Sequence, residues 1–127
     1  MKPTVVIVDD DPQFRCSVSA LLTLRGYQVV GEAGSASEAL EIVSAAKPHI
    51  VLLDIHLPDG DGLSVAARLT GESGPRPPRV VLISSDLSAA SERLVRSSGA
   101  AAFVVKESLG AAGVDDLLMG CWSTAGG

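Results

Sequence analysis

The sequence predicts an α/β domain in which a parallel, doubly wound sheet is covered by helices on both faces. Three observations predict it. Short apolar runs alternate with helix-spaced segments from start to finish of the 127 residues. The runs are continuously apolar rather than alternating, as strands buried on both faces require. The polar residues best suited to chemistry stand at the carboxyl ends of those runs, where ligands bind in open sheets of this kind. The length suits one domain with one core. The chain is 46% hydrophobic but only 3% aromatic, so Val, Leu, Ile and Ala must build that core.

The elements follow in order. Thr4–Val8 is a β-branched run. Asp11-Pro12 starts a helix, with Asp as N-cap and Pro at the first helical position. Phe14, Val18, Leu21 and Leu22 continue it at helical spacing, and Gly26 stops it. Residues 27–33 form the second strand. Ser35-Ala36-Ser37-Glu38 is a capping box leading an apolar stripe at Ala36, Ala39, Leu40 and Val43, and Lys47-Pro48 ends that helix. Ile50–Asp54 is the third strand, followed by a short helix over 63–69. The Gly- and Pro-rich stretch 71–79 is a surface loop. The fourth strand covers 80–84, a weaker helix 88–98 with Gly99 after it, and the fifth strand 102–106. A last helix spans 109–122, and 123–127 is a frayed end. There is no internal repeat and no second domain.

Charge and cysteine usage narrow the class. Net charge is −5 with a pI near 4.8, so the surface does not by itself attract nucleic acid or anionic lipid. Cys16 and Cys121 form no metal-ligand or redox spacing and are expected as free thiols, which fits a reducing compartment. Met1-Lys2-Pro3 shows no signal-peptide pattern, and no apolar run approaches the roughly 20 residues that span a bilayer. A cytoplasmic protein without membrane attachment is expected.

The carboxyl ends of the strands carry the chemistry. Val5-Val6-Ile7-Val8 ends on Asp9-Asp10-Asp11, and Ile50-Val51-Leu52-Leu53 ends on Asp54. A carboxylate at the tip of a buried strand is costly unless something uses it. Neighbouring carboxylates repel, and a divalent cation relieves them. Mg²⁺ favours one or two carboxylates, several waters and phosphate oxygens. Asp11 is the natural N-cap, which leaves Asp9 and Asp10 for the metal. Asp54 then reads as a covalent phosphoryl acceptor, with Lys106 supplying the cation that offsets repulsion between anions. Ser84, at the end of the fourth strand, can hydrogen-bond a phosphoryl oxygen. Each residue alone has a plainer reading: solvated charges, a strand-end Asp held by loop amides, a snorkelling lysine, a turn serine. Phe103 alone reads as core packing. His56 has no partner at ligand spacing and reads as a loop residue.

Asp9-Asp10, then Asp54-Ile-His-Leu-Pro58-Asp-Gly-Asp-Gly62, then Ser84-Ser85, then Phe103-Val-Val-Lys106 together resemble the receiver domain of bacterial two-component response regulators. The resemblance covers nearly the whole chain, with residues 1–122 as the domain. It implies a flavodoxin-like sheet of five strands in the order 2-1-3-4-5 with five helices. It implies that Asp54 accepts a phosphoryl group from the phosphohistidine of a sensor histidine kinase. Asp10 would bind Mg²⁺ directly and Asp9 mostly through water, with Asp54 and the His56 backbone carbonyl completing the protein's share of the shell. Ser84 and Lys106 match the family's hydroxyl and lysine, and Phe103 its rotating aromatic. His56 and Asp86 occupy the positions that tune the lifetime of the phosphorylated form.

Lys106 is followed by Glu107, where many receivers have Pro. With Val29-Val30-Gly31-Glu32-Ala33, this resembles the NarL/FixJ (LuxR-type) transcription regulators, which usually continue into a helix-turn-helix output domain. The resemblance therefore implies either a truncated piece of such a regulator, with 123–127 as a tail or the start of a linker, or a stand-alone receiver. The 71–79 loop is a second departure. The implied switch changes the face made by the fourth helix, fifth strand and fifth helix. There Arg93 and Arg96 could pair with Asp115 and Asp116 across a homodimer. The domain itself is expected to bind no DNA and to catalyse at most its own phosphorylation and dephosphorylation. A degenerate receiver acting only as an interaction module, a small Asp-dependent phosphatase and a flavin binder are the alternatives. The last two fit poorly, since the acceptor follows the third strand and three carboxylates would repel a flavin phosphate.

Overall fold

The computed structural model describes residues 3–72, 77–85 and 92–110. The chain runs β1 Thr4–Val8, α1 Pro12–Leu24, β2 Gln28–Ala33, α2 Ala36–Ala46, β3 Ile50–Asp54, α3 Gly62–Glu72, β4 Arg79–Ser84, α4 Glu92–Ser97 and β5 Ala102–Val105. A two-residue-per-strand antiparallel hairpin, His56–Leu57 with Gly60–Asp61, separates β3 from α3, and a 3-10 turn, Lys106–Gly110, follows β5. The five long strands make one parallel sheet in the order β2-β1-β3-β4-β5. This is the doubly wound architecture the alternating pattern predicts. The order reverses between β1 and β3, which opens a crevice at their carboxyl ends.

Period-two side-chain alternation explains why the strands are apolar throughout. Val6, Val8, Val51, Leu53, Val80 and Leu82 pack on one face against Ala39 and Val43 of α2, Val65, Ala66 and Leu69 of α3, and Val95 of α4. Val5, Ile7, Ile50, Leu52, Val81, Ile83 and Val104 pack on the other against Val18 and Leu22 of α1, Tyr27 and Leu109. Burying each such side chain contributes about 1.5–3 kcal/mol. The three central strands are therefore anchored on both faces, and their ends hold polar groups in fixed places.

The helix signals act as expected. Asp11 Oδ1 accepts from the Gln13 N–H at 3.0 Å, and Pro12 opens α1. Ser35 Oγ accepts from the Glu38 N–H at 3.2 Å. Glu38 Oε1 accepts from the Gly34 N–H at 3.1 Å, one residue earlier than an ideal capping box would have it. Lys47 closes α2 in the left-handed region at φ 48° before Pro48, and Gly26 follows α1 at φ +94°.

Element boundaries differ from the expected ones at several points, among them the end of α4 at Ser97 rather than 98 and Leu109–Gly110, which lie in the 3-10 turn rather than the last helix. Tyr27 gives its N–H to the Leu22 carbonyl and so finishes the turn after α1 rather than starting β2. α3 is longer than 63–69 and includes Gly71, which has open space around it; an exposed helical glycine costs only about 1 kcal/mol. β4 begins at Arg79, not Val80, because Arg79 pairs with Ile50. Lys106 lies in the turn after β5 rather than in the strand. The rest of the expected 71–79 loop at 73–76, the start of the fourth helix at 88–91, Asp86, and the last helix beyond Gly110 with Asp115, Asp116, Cys121 and the 123–127 tail lie outside the described residues. Four α-helices stand among the described residues. Cys16 is a free, exposed thiol. No described helix is long and apolar enough to cross a membrane.

Candidate functional site

β1 delivers Asp9 to the crevice and buries it fully. Its N–H donates to the Ala33 carbonyl at 3.0 Å, which holds the residue to the end of β2. Oδ1 accepts from the Asp11 N–H at 2.9 Å. From α1, Arg15 Nη1 donates to the Asp9 backbone carbonyl, while its Nε lies 3.3 Å from Glu32 Oε1 on β2. Asp10, the next residue, is exposed. β3 delivers Asp54, only 4% exposed, and Oδ1 accepts from the His56 N–H at 3.0 Å.

Lys106 joins the two strand ends. Its Nζ lies 2.6 Å from Asp9 Oδ2 and 3.3 Å from Asp54 Oδ2. It also sits 4.6 Å from the centroid of the Phe14 ring in α1, a distance at which the ring face attracts a cation. The contact to Asp9 is the closer of the two and is an ion pair with a fully buried carboxylate oxygen.

The charges tune one another. Burial pushes the Asp54 carboxyl up, the Asp9 charge pushes the same way, and the His56 N–H and Lys106 only partly oppose them. Burial works to lower Lys106, but its contact with Asp9 and the charges of Asp54 and Asp9 outweigh it and hold the ammonium above its ordinary value. A protonated lysine thus stands against two buried acids.

Asp9, Asp10 and Asp54 each offer a carboxylate oxygen, and these oxygens lie within 4.8 Å of one another. Hard oxygen donors of this number suit Mg²⁺. The buried Asp9 Oδ2, which makes no hydrogen bond and is balanced by the Lys106 ammonium 2.6 Å away, is the oxygen of this set that a metal cation would also engage. The expected residues therefore converge. Ser84 is buried at the end of β4 and registers with Val105, the residue before Lys106; Asp54 registers with Ile83, the residue before Ser84. Asp54, Ser84 and Lys106 thus follow one another across three adjacent strand ends. Phe103 registers with Leu82 and packs, half-buried, against the core layer that holds Val95 of α4. His56 is exposed and belongs to the hairpin rather than to an irregular loop.

Three contributors are not visible in the sequence. Phe14 is legible there only as a helical core position, Arg15 only as a charge near the acids, and Asp59 only as a turn residue after Pro58. Phe14 meets Lys106, Arg15 meets Glu32 and Asp59 meets Ala36 across long stretches of chain, beyond any local pattern, although Arg15 also reaches the nearby Asp9 carbonyl.

Residues 5–114 match the response regulator receiver domain, and the chain belongs to that family. It is 42% identical over 108 residues to the transcriptional regulatory protein NarL of Mycobacterium tuberculosis, which covers 84% of this chain and 49% of that protein. It is 38% identical over 102 residues to the virulence-factor transcription regulator BvgA of Bordetella pertussis, covering 80% and 48%. The solved receiver domain of NarL from M. tuberculosis superposes with a TM-score of 0.72 at 39% identity, covering 84% of this chain and 85% of that one. The chain spans about half the length of these two transcription regulators. The expected NarL-type, flavodoxin-like character is confirmed.

Proposed function

We propose that the protein is a phosphorylation-controlled signalling switch that receives a phosphoryl group on Asp54 from a sensor histidine kinase. One observation carries this reading: Asp54 is buried at a strand end with Asp9, Asp10 and Lys106 all gathered around its carboxylate. Oδ1 is engaged by the His56 N–H, so Oδ2, facing Lys106, is the oxygen we assign as nucleophile. It attacks phosphorus of a phosphohistidine; the O–P bond forms, the P–N bond breaks, and the leaving imidazole takes up a proton. Asp9, Asp10, Asp54 and the His56 backbone carbonyl would hold Mg²⁺, which when bound neutralises charge on the phosphoryl oxygens.

Lys106 then exchanges its carboxylate partners for a phosphoryl oxygen, and the Ser84 hydroxyl donates to another. Ser84 moving inward changes the packing beside β5, and Phe103 turns toward the core. The face of α4 and β5, with the helix expected after it, then changes its partner, a second copy of the domain among them. This is a local charge change biasing a two-state element. The names of the two relatives support a transcription-type output for the switch. The receiver itself touches neither DNA nor membrane and works in the cytoplasm.

Intact mass spectrometry after treatment with acetyl phosphate and Mg²⁺ tests the assignment. The wild type is expected to gain one phosphoryl mass, labile to hydroxylamine, and Asp54→Asn none. Full labelling of Asp54→Asn, or none of the wild type, would overturn it.

A further inference from the structure

The hairpin that follows Asp54 is fastened at its base and at its tip. At the base, the His56 N–H donates to Asp54 Oδ1 at 3.0 Å, and the Gly62 N–H donates to the Ile55 carbonyl at 2.8 Å. Gly62 lies so close to Asp54 that a Cβ there would run into the Asp54 backbone carbonyl. At the tip, after Pro58, the Asp59 carboxylate crosses to the start of α2. Oδ1 accepts from the Ala36 N–H at 2.6 Å and Oδ2 from the Ser37 N–H at 3.1 Å. Next to it, a Cβ on Gly60 would lie 3.2 Å from Ala36 Cβ.

The helix does not need this carboxylate in order to begin. Ser35 Oγ already takes the Glu38 N–H, and Glu38 reaches back to the Gly34 N–H. The Ala36 and Ser37 amides sit at an open helix end, where water can satisfy them. Two charge-assisted bonds aligned with the helix dipole instead hold the loop. The same two amides keep the Asp59 carboxyl below the usual carboxylate range. The hairpin has only two residues per strand, and its base carries His56, one residue beyond Ile55 and bonded to the Asp54 carboxylate.

We propose that Asp59 is a positioning residue for phosphoryl acceptance: by clamping the hairpin tip to α2, it fixes the segment that presents the His56 carbonyl to the cation and the His56 N–H to Asp54. This rests on the phosphoacceptor reading above. Asp59 touches neither phosphoryl group nor metal and acts through the backbone of 56–59.

The test compares wild type, Asp59→Ala and Asp59→Asn in this chain. The first readout is the Mg²⁺ dependence of acetyl phosphate labelling. Groups bonded directly to a metal ligand typically change metal affinity roughly 10–100-fold; Asp59 stands a step further out, so about a three- to tenfold rise in the half-saturating Mg²⁺ concentration is expected for Asp59→Ala. Asp59→Asn, which keeps one acceptor oxygen, is expected in between, and the limiting rate at saturating Mg²⁺ is expected to stay near wild type. The second readout is amide hydrogen exchange without metal, expected to quicken at His56 and Gly62 in Asp59→Ala. With a wild type that labels, an Asp59→Ala protein of unchanged Mg²⁺ dependence would overturn the proposal, and so would unchanged exchange at both amides. A wild type that fails to label would overturn the phosphoacceptor reading instead, and the exchange readout would still decide whether Asp59 holds the loop.

Discussion

The two ends of the sheet treat polar groups in opposite ways. At the amino end, Thr4 and His49 satisfy each other: the Thr4 N–H donates to His49 Nδ1 at 3.0 Å, and the His49 N–H reaches both Thr4 Oγ1 and the Thr4 carbonyl at 3.0 Å. The next strand joins in, with the Arg79 N–H donating to the His49 carbonyl at 2.8 Å. These groups lie near water. At the carboxyl end, two buried carboxylates share one lysine, a third acid stands beside them, and Asp9 Oδ2 makes no hydrogen bond. Burying like charges together is expensive. The amino end is finished as it stands, whereas the carboxyl end is electrostatically unfinished and poised for a cation and an anion. The same strands supply both ends, so the fold does not impose the difference; the residues placed there do.

Removing one of the acids proposed to hold Mg²⁺ should have the largest effect on this contrast. Asp10→Ala is expected to abolish Mg²⁺-dependent labelling, and Asp9→Ala, which also frees Lys106 from its closer partner, to weaken it. Labelling of Asp10→Ala that is normal with Mg²⁺ and lost with EDTA would move the ligand role elsewhere. Lys106→Met is the next largest. It takes a positive charge 2.6 Å from Asp9 out of the site, so Mg²⁺ affinity, measured by isothermal titration calorimetry, should rise while acetyl phosphate labelling falls. Weaker Mg²⁺ binding would mean that the lysine organises the acids rather than competing for them. The smallest effect belongs to the amino end. Thr4→Ala removes one side-chain hydroxyl from a partly exposed network and should cost about 1 kcal/mol or less in urea denaturation. It should leave Mg²⁺ dependence and labelling as they were. A change in labelling would show that the two ends are coupled through β1.

Part of this contrast is legible in the sequence. Val8-Asp9-Asp10 and Leu53-Asp54 announce acids at the tips of strands buried on both faces, and period and length suffice for that. The order of the strands is not legible from pattern, because pairing of β1 with both β2 and β3 is a property of tertiary packing; it comes from the family resemblance. Lys106 can be named from the sequence but not placed. Only the pairing of β4 with β5 brings it across to Asp9 and Asp54. Arg15 and Asp59 escape notice because each acts on backbone groups far along the chain or on a distant side chain. Glu32 lies 17 residues from Arg15, and Ala36 lies 23 residues from Asp59. Backbone donors and acceptors are the same at every position, so no sequence pattern marks them as partners.

The central claim is that the carboxyl end is held in an unfavourable charge state that a cation relieves. Thermal unfolding of wild type and Asp54→Asn, with and without Mg²⁺, tests it most directly. Asp54 has its carboxyl raised in the folded protein. The native state therefore binds more protons than the unfolded chain over that interval, and stability falls as pH rises from the ordinary carboxylate range through the raised value. At neutral pH the wild type should then be less stable than Asp54→Asn, whose neutral amide removes the penalty. Mg²⁺ at roughly 100 times its dissociation constant should stabilise the wild type by about 2.7 kcal/mol, and Asp54→Asn should gain less. A variant less stable than wild type at pH 7, or a wild type whose melting temperature ignores Mg²⁺, would contradict the account.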